Sequence, residues 1–101
     1  MRPELEIAWD SAKAQANLAK HGIGFAQAAT VLVDPLALTV FDETHSQSEE
    51  RWFTLGRSEE GKLLAVAHTF RTSRSASMQV RIISARLATR REREQYENEP
   101  R

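Results

Sequence analysis

The chain has 101 residues, no cysteine, a 41% hydrophobic share and 14 cationic against 14 acidic side chains. That length makes one domain over residues 1–101, with room for a single modest core. The composition excludes disulfides, thiolate nucleophiles and cysteine-ligated zinc, and no stretch offers the roughly 20 apolar residues of a membrane helix.

Residues 5–9 read as a short strand. Asp10 then stands where an N-cap belongs, ahead of a helix over residues 11–21. Ala14, Leu18 and His21 recur along it at helical spacing, and Gly22 follows as the left-handed residue that closes it. A second helix covers residues 25–33, with Phe25, Ala28, Ala29 and Leu32 as its apolar stripe. Gly24 is a weak cap for it, although Gln27 occupies the capping-box position. Asp34-Pro35 ends it. The period then changes. Residues 36–41 are apolar and β-prone, 42–50 form a polar loop, and 51–57 alternate around Phe53 and Leu55. After a turn at 58–61, residues 62–71 are apolar on both faces, the pattern of a central strand. A serine-rich turn at 72–77 leads to a further strand over 78–87. Thr89-Arg90-Arg91-Glu92 is a capping box opening a last helix that reaches about Asn98. Strands joined by loops this short pair antiparallel. The expected fold is therefore α+β: a small antiparallel meander with two N-terminal helices and one C-terminal helix.

Zero net charge conceals an asymmetry. Residues 1–50 carry three cations and eight anions, while residues 51–101 carry eleven cations and six anions. Residues 62–91 contain no Asp or Glu at all, but hold Lys62 and six arginines, Arg71, Arg74, Arg81, Arg86, Arg90 and Arg91. Such a block, projected from strands, selects polyanions, and phosphate chains fit it best. The acidic half could dock a basic protein partner, or be a solvated face.

Three histidines, His21, His45 and His68, stand too far apart for a metal-ligand pair. No Gly-x-Ser-x-Gly elbow and no phosphate-cradling glycine loop occurs. Arginine, histidine, lysine, serine and glutamate remain, a set suited to cleaving RNA without a metal or cofactor. RNA carries its own nucleophile, the 2′-hydroxyl. An enzyme need only remove its proton, neutralise the phosphoryl charge and protonate the leaving oxygen. Arginine suits the phosphate because its planar fork grips two oxygens and never loses its charge.

An ordered series runs along the chain: Trp9-Asp10, Lys13, Asn17-Leu18, Lys20-His21-Gly22, Phe25, Ala28, Asp34-Pro35, His45-Ser46, Glu49-Glu50-Arg51, Leu55-Gly56, Arg81-Ile82-Ile83-Ser84-Ala85-Arg86, Ala88-Thr89, Glu92-Arg93 and Tyr96-Glu97. On these residues the chain resembles the BrnT family, toxins of type II toxin–antitoxin pairs, over roughly residues 7–97. The resemblance implies a ribonuclease with a compact fold similar to the RelE class. It also implies a cytoplasmic protein whose partner is a BrnA-type antitoxin. That antitoxin would neutralise the toxin and meet operator DNA on behalf of the pair. The chain departs from the family at Gly24, where Ser or Asp is commoner, and over residues 72–79, which are longer and richer in serine.

The candidate site residues are Lys20, His21, Glu50, Arg71, Arg81, Ser84 and Arg86. Lys20, His21 and Glu50 would handle protons; Arg71, Arg81, Ser84 and Arg86 would contact phosphate. Strand alternation constrains the last three. In a regular strand Arg81 shares one face with Ile83, and Ser84 and Arg86 take the other. Either Arg81 faces RNA and Arg86 closes a salt bridge, or the reverse. His68, among Leu64, Val66 and Phe70, fits a core histidine better than a catalytic one. Lys20-His21-Gly22 is also what closes an ordinary helix. The alternative to an enzyme is a module that only binds nucleic acid or an antitoxin.

Overall fold

The structure, a computed structural model, describes residues 5–45, 49–72 and 77–100. Strand β1 (Leu5–Trp9) leads directly into helix α1 (Ser11–His21). The Asp10 carboxylate accepts from the Ala12 N–H at 3.3 Å, and Gly22, at φ 71°, donates to the Leu18 carbonyl at 2.9 Å. Both ends of α1 are thus closed by the residues that the sequence marks. Helix α2 (Phe25–Val31) stops short of residue 33. Val33 and Asp34 turn their N–H groups onto the carbonyls of Thr30 and Val31, a tightening that unwinds the helix ahead of Pro35. Strands β2 (Leu38–Phe41), β3 (Trp52–Arg57), β4 (Leu63–His68), β5 (Arg71–Thr72) and β6 (Met78–Leu87) follow, then helix α3 (Arg90–Asn98). Thr89 and Glu92 form the reciprocal capping box of α3. The expected strand over 62–71 is divided into β4 and β5. Residues 73–76, the heart of the serine-rich turn and the place of Arg74, lie outside the described residues, as does Ser46.

The six strands form one sheet in the order β1-β6-β4-β3-β2, with β5 also against β6. The pairs β2–β3, β3–β4, β4–β6 and β5–β6 are antiparallel. Strand β1 is parallel to β6, Leu5 opposite Met78 and Trp9 opposite Ile82. This corrects the expectation of an all-antiparallel sheet, because the sheet is mixed. The short-loop rule does not govern β1, whose partners on β6 lie 73 residues away, as for Glu6 and Gln79.

Pairing between β4 and β6 slips once. Ala67 faces Ser84, but His68 faces Ile82, so Ile83 is a surplus residue with no partner on β4. Such a bulge reverses the side-chain alternation beyond it. Burial records the reversal: Val80, Ile82 and Ala85 are all buried, two residues apart and then three.

All six residues of β4 are buried, as befits a central strand covered on both sides. On one face Leu64, Val66, Ile82 and Ala85 pack against Ile23, Phe25, Ala28 and Val31, with Ala14 of α1 at the margin. On the other, Leu55, Leu63 and Ala65 meet Tyr96 of α3. The stripe expected on α1 is corrected: Leu18 is 55% exposed and His21 is exposed, while Asn17 is 6% exposed. Strand β1 pairs with β6 only as far as Ile82, and beyond that point Asn17 takes its place. Its amide Nδ2 donates to the carbonyls of Ala85 and Ile23, both at 2.9 Å, and its Oδ1 accepts the Ala85 N–H at 3.0 Å. One side chain thereby serves a sheet edge as a strand would.

Asp34 joins three elements. Its Oδ1 accepts from Leu36 N–H at 2.9 Å, and its Oδ2 accepts from Arg57 N–H at 2.8 Å and from the Tyr96 hydroxyl at 2.7 Å. The approach depends on Gly56, since a Cβ there would lie 2.8 Å from Val31 Cγ1 and 3.2 Å from Asp34 Oδ2. An Asn17→Ala substitution strands two buried carbonyls and one buried N–H. It should lower the unfolding free energy by about 2–3 kcal/mol in a denaturant titration, with no comparable loss for Leu18→Ala at the exposed neighbouring position.

Candidate active site

The bulge at Ile83 decides which side chains of β6 meet. Arg81, between buried Val80 and Ile82, points the opposite way, away from α1 and α2. Beyond the surplus residue Ser84 and Arg86 point the same way, because Ala85 between them is in the helix-covered core. All three polar residues therefore share one face, against the split that regular alternation predicts. Register adds Ala8 beside Arg81, Glu6 beside Gln79, and Arg71 opposite Gln79. Helix α3 covers only the part of this face that carries Leu55, Leu63 and Ala65. The uncovered part is the floor of a cleft of about 730 Å³, lined among others by Glu6, Glu49, Glu50, Arg71 and Arg81.

Arg81 is held by its backbone. Its N–H donates to Thr69 Oγ1 at 3.3 Å and its carbonyl accepts the Thr69 N–H at 3.0 Å. The guanidinium reaches into the cleft and pairs with the Glu49 carboxylate. Arg86 is differently placed. Its Nη1 and Nη2 donate to the two oxygens of Glu92 at 2.7 and 3.0 Å. Oε1 of that carboxylate also accepts the Thr89 N–H at 2.8 Å. The Arg86 guanidinium, with help from Thr89, holds the Glu92 carboxyl below the usual carboxylate range, and Glu92 in turn raises the Arg86 pKa. The fork of Arg86 is committed to the mouth of α3.

The cleft unites Glu50, Arg71 and Arg81 among the residues that the sequence singles out. Ser84 lies on the same face, half-buried and outside the cleft lining. Lys20 and His21 are exposed on the last turn of α1, a helix packed on the opposite face of the sheet, and neither lines the cleft. The sheet itself separates them from Arg81. Sequence reasoning overlooked Glu49 and Glu6. Glu6 becomes relevant only through the parallel pairing of β1. Glu49 had one available signal, its adjacency to Glu50, but nothing local tells which acid meets an arginine. Among the described residues no group of three His, Cys, Asp or Glu side chains could hold a metal, and no helix is long and apolar enough to cross a membrane.

Residues 9–92 match the model of a family described as the ribonuclease toxin BrnT of type II toxin–antitoxin systems. Among solved structures, the chain is similar to the Brucella abortus ribonuclease toxin BrnT. The TM-score is 0.61 at 25% identity, covering 85% of this chain and 99% of that one. No curated protein matches.

His68 is not part of the cleft. It is 1% exposed and spans the core between β3 and the turn after β4. Its Nδ1 lies 2.9 Å from the Thr69 carbonyl, which can only accept, so Nδ1 carries the proton. Nε2, 2.7 Å from Thr54 Oγ1, then accepts from that hydroxyl, which in turn accepts from Thr39 Oγ1 at 2.8 Å. Burial pushes the imidazole below its ordinary 6.5, with the Thr69 contact opposing. The unfolded chain therefore binds a proton that the folded chain refuses. Stability should be full above pH 6.5 and fall as the pH drops below it. Unfolding free energies measured between pH 7.5 and 5.5 should show this decline, and His68→Gln should flatten it.

Proposed function

The chain belongs to the BrnT family of ribonuclease toxins of type II toxin–antitoxin systems, and we propose that its cleft cuts RNA without a metal, through the RNA's own 2′-hydroxyl. The observation that carries this reading is the meeting of Glu50, Arg71 and Arg81 in one cleft. A carboxylate beside two guanidinium groups is the minimum that transesterification needs. Glu50 removes the 2′-hydroxyl proton. The 2′ oxygen then forms a bond to phosphorus while the bond to the 5′ oxygen breaks. Arg81 and Arg71 neutralise the charge that gathers on the phosphoryl oxygens during this exchange. The departing 5′ oxygen takes a proton from water in the open cleft. The products are a 2′,3′-cyclic phosphate and a 5′-hydroxyl.

Lys20, His21 and Arg86 have no direct part in this scheme. The first two sit across the sheet, and Arg86 anchors α3 through Glu92. Ser84 borders the cleft floor and can orient the chain of phosphates. The antitoxin is proposed to be of the BrnA type, with operator DNA met only through it and the pair working in the cytoplasm. A place beside the RelE-like toxins belongs to the same proposal, supported by a cleft on a sheet face lined by arginine and glutamate.

Arg81→Ala should lower kcat/KM on an RNA oligonucleotide at least about 100-fold, and Glu50→Gln about as much. Wild-type cleavage should persist in excess EDTA and vanish on a substrate with a single 2′-deoxy sugar at the scissile position. Cleavage of that deoxy substrate, or a few-fold effect of Arg81→Ala on kcat/KM, would sink the scheme, and absence of RNA cleavage by the wild type would leave a module that only binds.

A further inference from the structure

Two arginines on the same face of β6 carry two different kinds of counter-ion. Glu92 is fixed: it belongs to the last helix, caps that helix through Thr89, and grips Arg86 with both oxygens. Glu49 is not part of a helix or strand. It lies ahead of β3, its side chain is 42% exposed, and the Arg81 side chain that it meets is 46% exposed. Nothing in the fold requires this pair, because Arg81 is already fixed through its backbone to Thr69 and Ala8.

A carboxylate and a phosphodiester present the same thing to a guanidinium: two anionic oxygens that fit a planar fork. They cannot occupy the same N–H donors together. Glu49 holds Arg81 through Nη2, so a phosphate that takes the Nη1–Nη2 fork of Arg81 with two oxygens must dislodge Glu49 from that nitrogen. Once dislodged, that carboxylate remains in a cleft that already holds Glu50 and Glu6, where it repels the incoming backbone. The cost of separating a half-exposed ion pair is small, so the effect is a graded penalty on binding and not a closed door.

We propose that Glu49 is a positioning residue that stands in for the substrate phosphate on Arg81, aiming the guanidinium into the cleft and weakening RNA binding until it is displaced. The inference rests on the reading of Arg81 as a phosphate clamp. It differs from a catalytic role, for Glu50 and not Glu49 is the base in that reading. Glu49 acts on the approach of the substrate and leaves the bond exchange alone. It also selects for chains over single phosphates. A strand that contacts both Arg71 and Arg81 gains enough to expel the carboxylate, whereas one isolated phosphate gains less.

Glu49→Gln tests it, since the amide keeps the shape and can still accept from Arg81 but has lost the charge. KM for an RNA oligonucleotide should fall about three- to tenfold with kcat within about twofold of wild type. Binding of a fully 2′-deoxy oligonucleotide, which cannot be cleaved, should tighten by the same factor, and the gain should disappear in a Glu49→Gln/Arg81→Gln double variant. A fall in kcat at constant KM would overturn the proposal by making Glu49 part of the chemistry. Equal affinity of wild type and Glu49→Gln for the deoxy oligonucleotide, including no binding by either, would overturn it too. If the deoxy oligonucleotide binds more tightly to the variant while wild type cuts no RNA, the assignment of Glu49 stands and the cleavage scheme alone fails.

Discussion

Between Ala67 and His68 the neighbouring strand β6 carries one residue more than β4 can match, and the alternation of its side chains inverts there. The cleft depends on that offset. Without it Arg81 and Ser84 would take opposite faces, and either Arg81 would be driven into the packing of Phe25, Val66 and Ile82 or Ala85 would leave it. Burying an arginine in that cluster without a partner would be far more costly than the unpaired backbone of one bulged residue. The bulge also ends the regular pairing of β4. The turn after His68 and the short β5 follow from it, and they bring Arg71 and Thr69 beside Arg81. Sheet irregularity and site are one feature.

The asymmetric charge pattern resolves on folding into partners of unequal permanence. Of the arginines in the acid-free block, Arg86 and Arg90 face glutamates of α3, and Arg81 faces Glu49 across the cleft. The surface is therefore less basic than the block alone suggests. The pairs differ in how easily each comes apart. Arg90 with Glu94 is a solvated helix pair worth little. Arg86 with Glu92 is bidentate and tied to a cap. Arg81 with Glu49 is half-exposed and joins a strand to a residue outside any helix or strand.

Local structure was legible in the sequence wherever one residue acts on its near neighbours. Asp10, Gly22 and the Thr89–Glu92 box mark helix ends through bonds that span a few residues, and all three are realised. The double-sided apolar run marked β4 as central because burial of both faces leaves no polar alternation. Features set by distant partners were not legible. The direction of β1 depends on which strand it joins, and no periodicity within five residues encodes that. The bulge falls in Ile82-Ile83-Ser84, with no glycine or proline to announce it, so a regular strand was the natural reading. The burial of Asn17 was not legible because a polar residue is assigned outward by default, yet its amide answers both the N–H and the carbonyl of Ala85. Of the cleft lining, Glu50, Arg71 and Arg81 could be named from their chemistry. That these three meet, and that Lys20 and His21 lie outside the cleft lining, depends on the sheet.

The pairing of the first strand with the last also sets when the cleft can exist. Glu6 and Ala8 line it from one end of the chain, Arg71 and Arg81 from the other, with 73 residues between Glu6 and its neighbour Gln79. During synthesis the N-terminal strand and both early helices leave the ribosome before their sheet partner has been made. A contact of such long sequence separation closes late in folding. A chain interrupted anywhere before Arg81 has no floor to its cleft. A member of a ribonuclease-toxin family thus gains this cleft only after translation has passed Arg81, and fragments that stop earlier lack it.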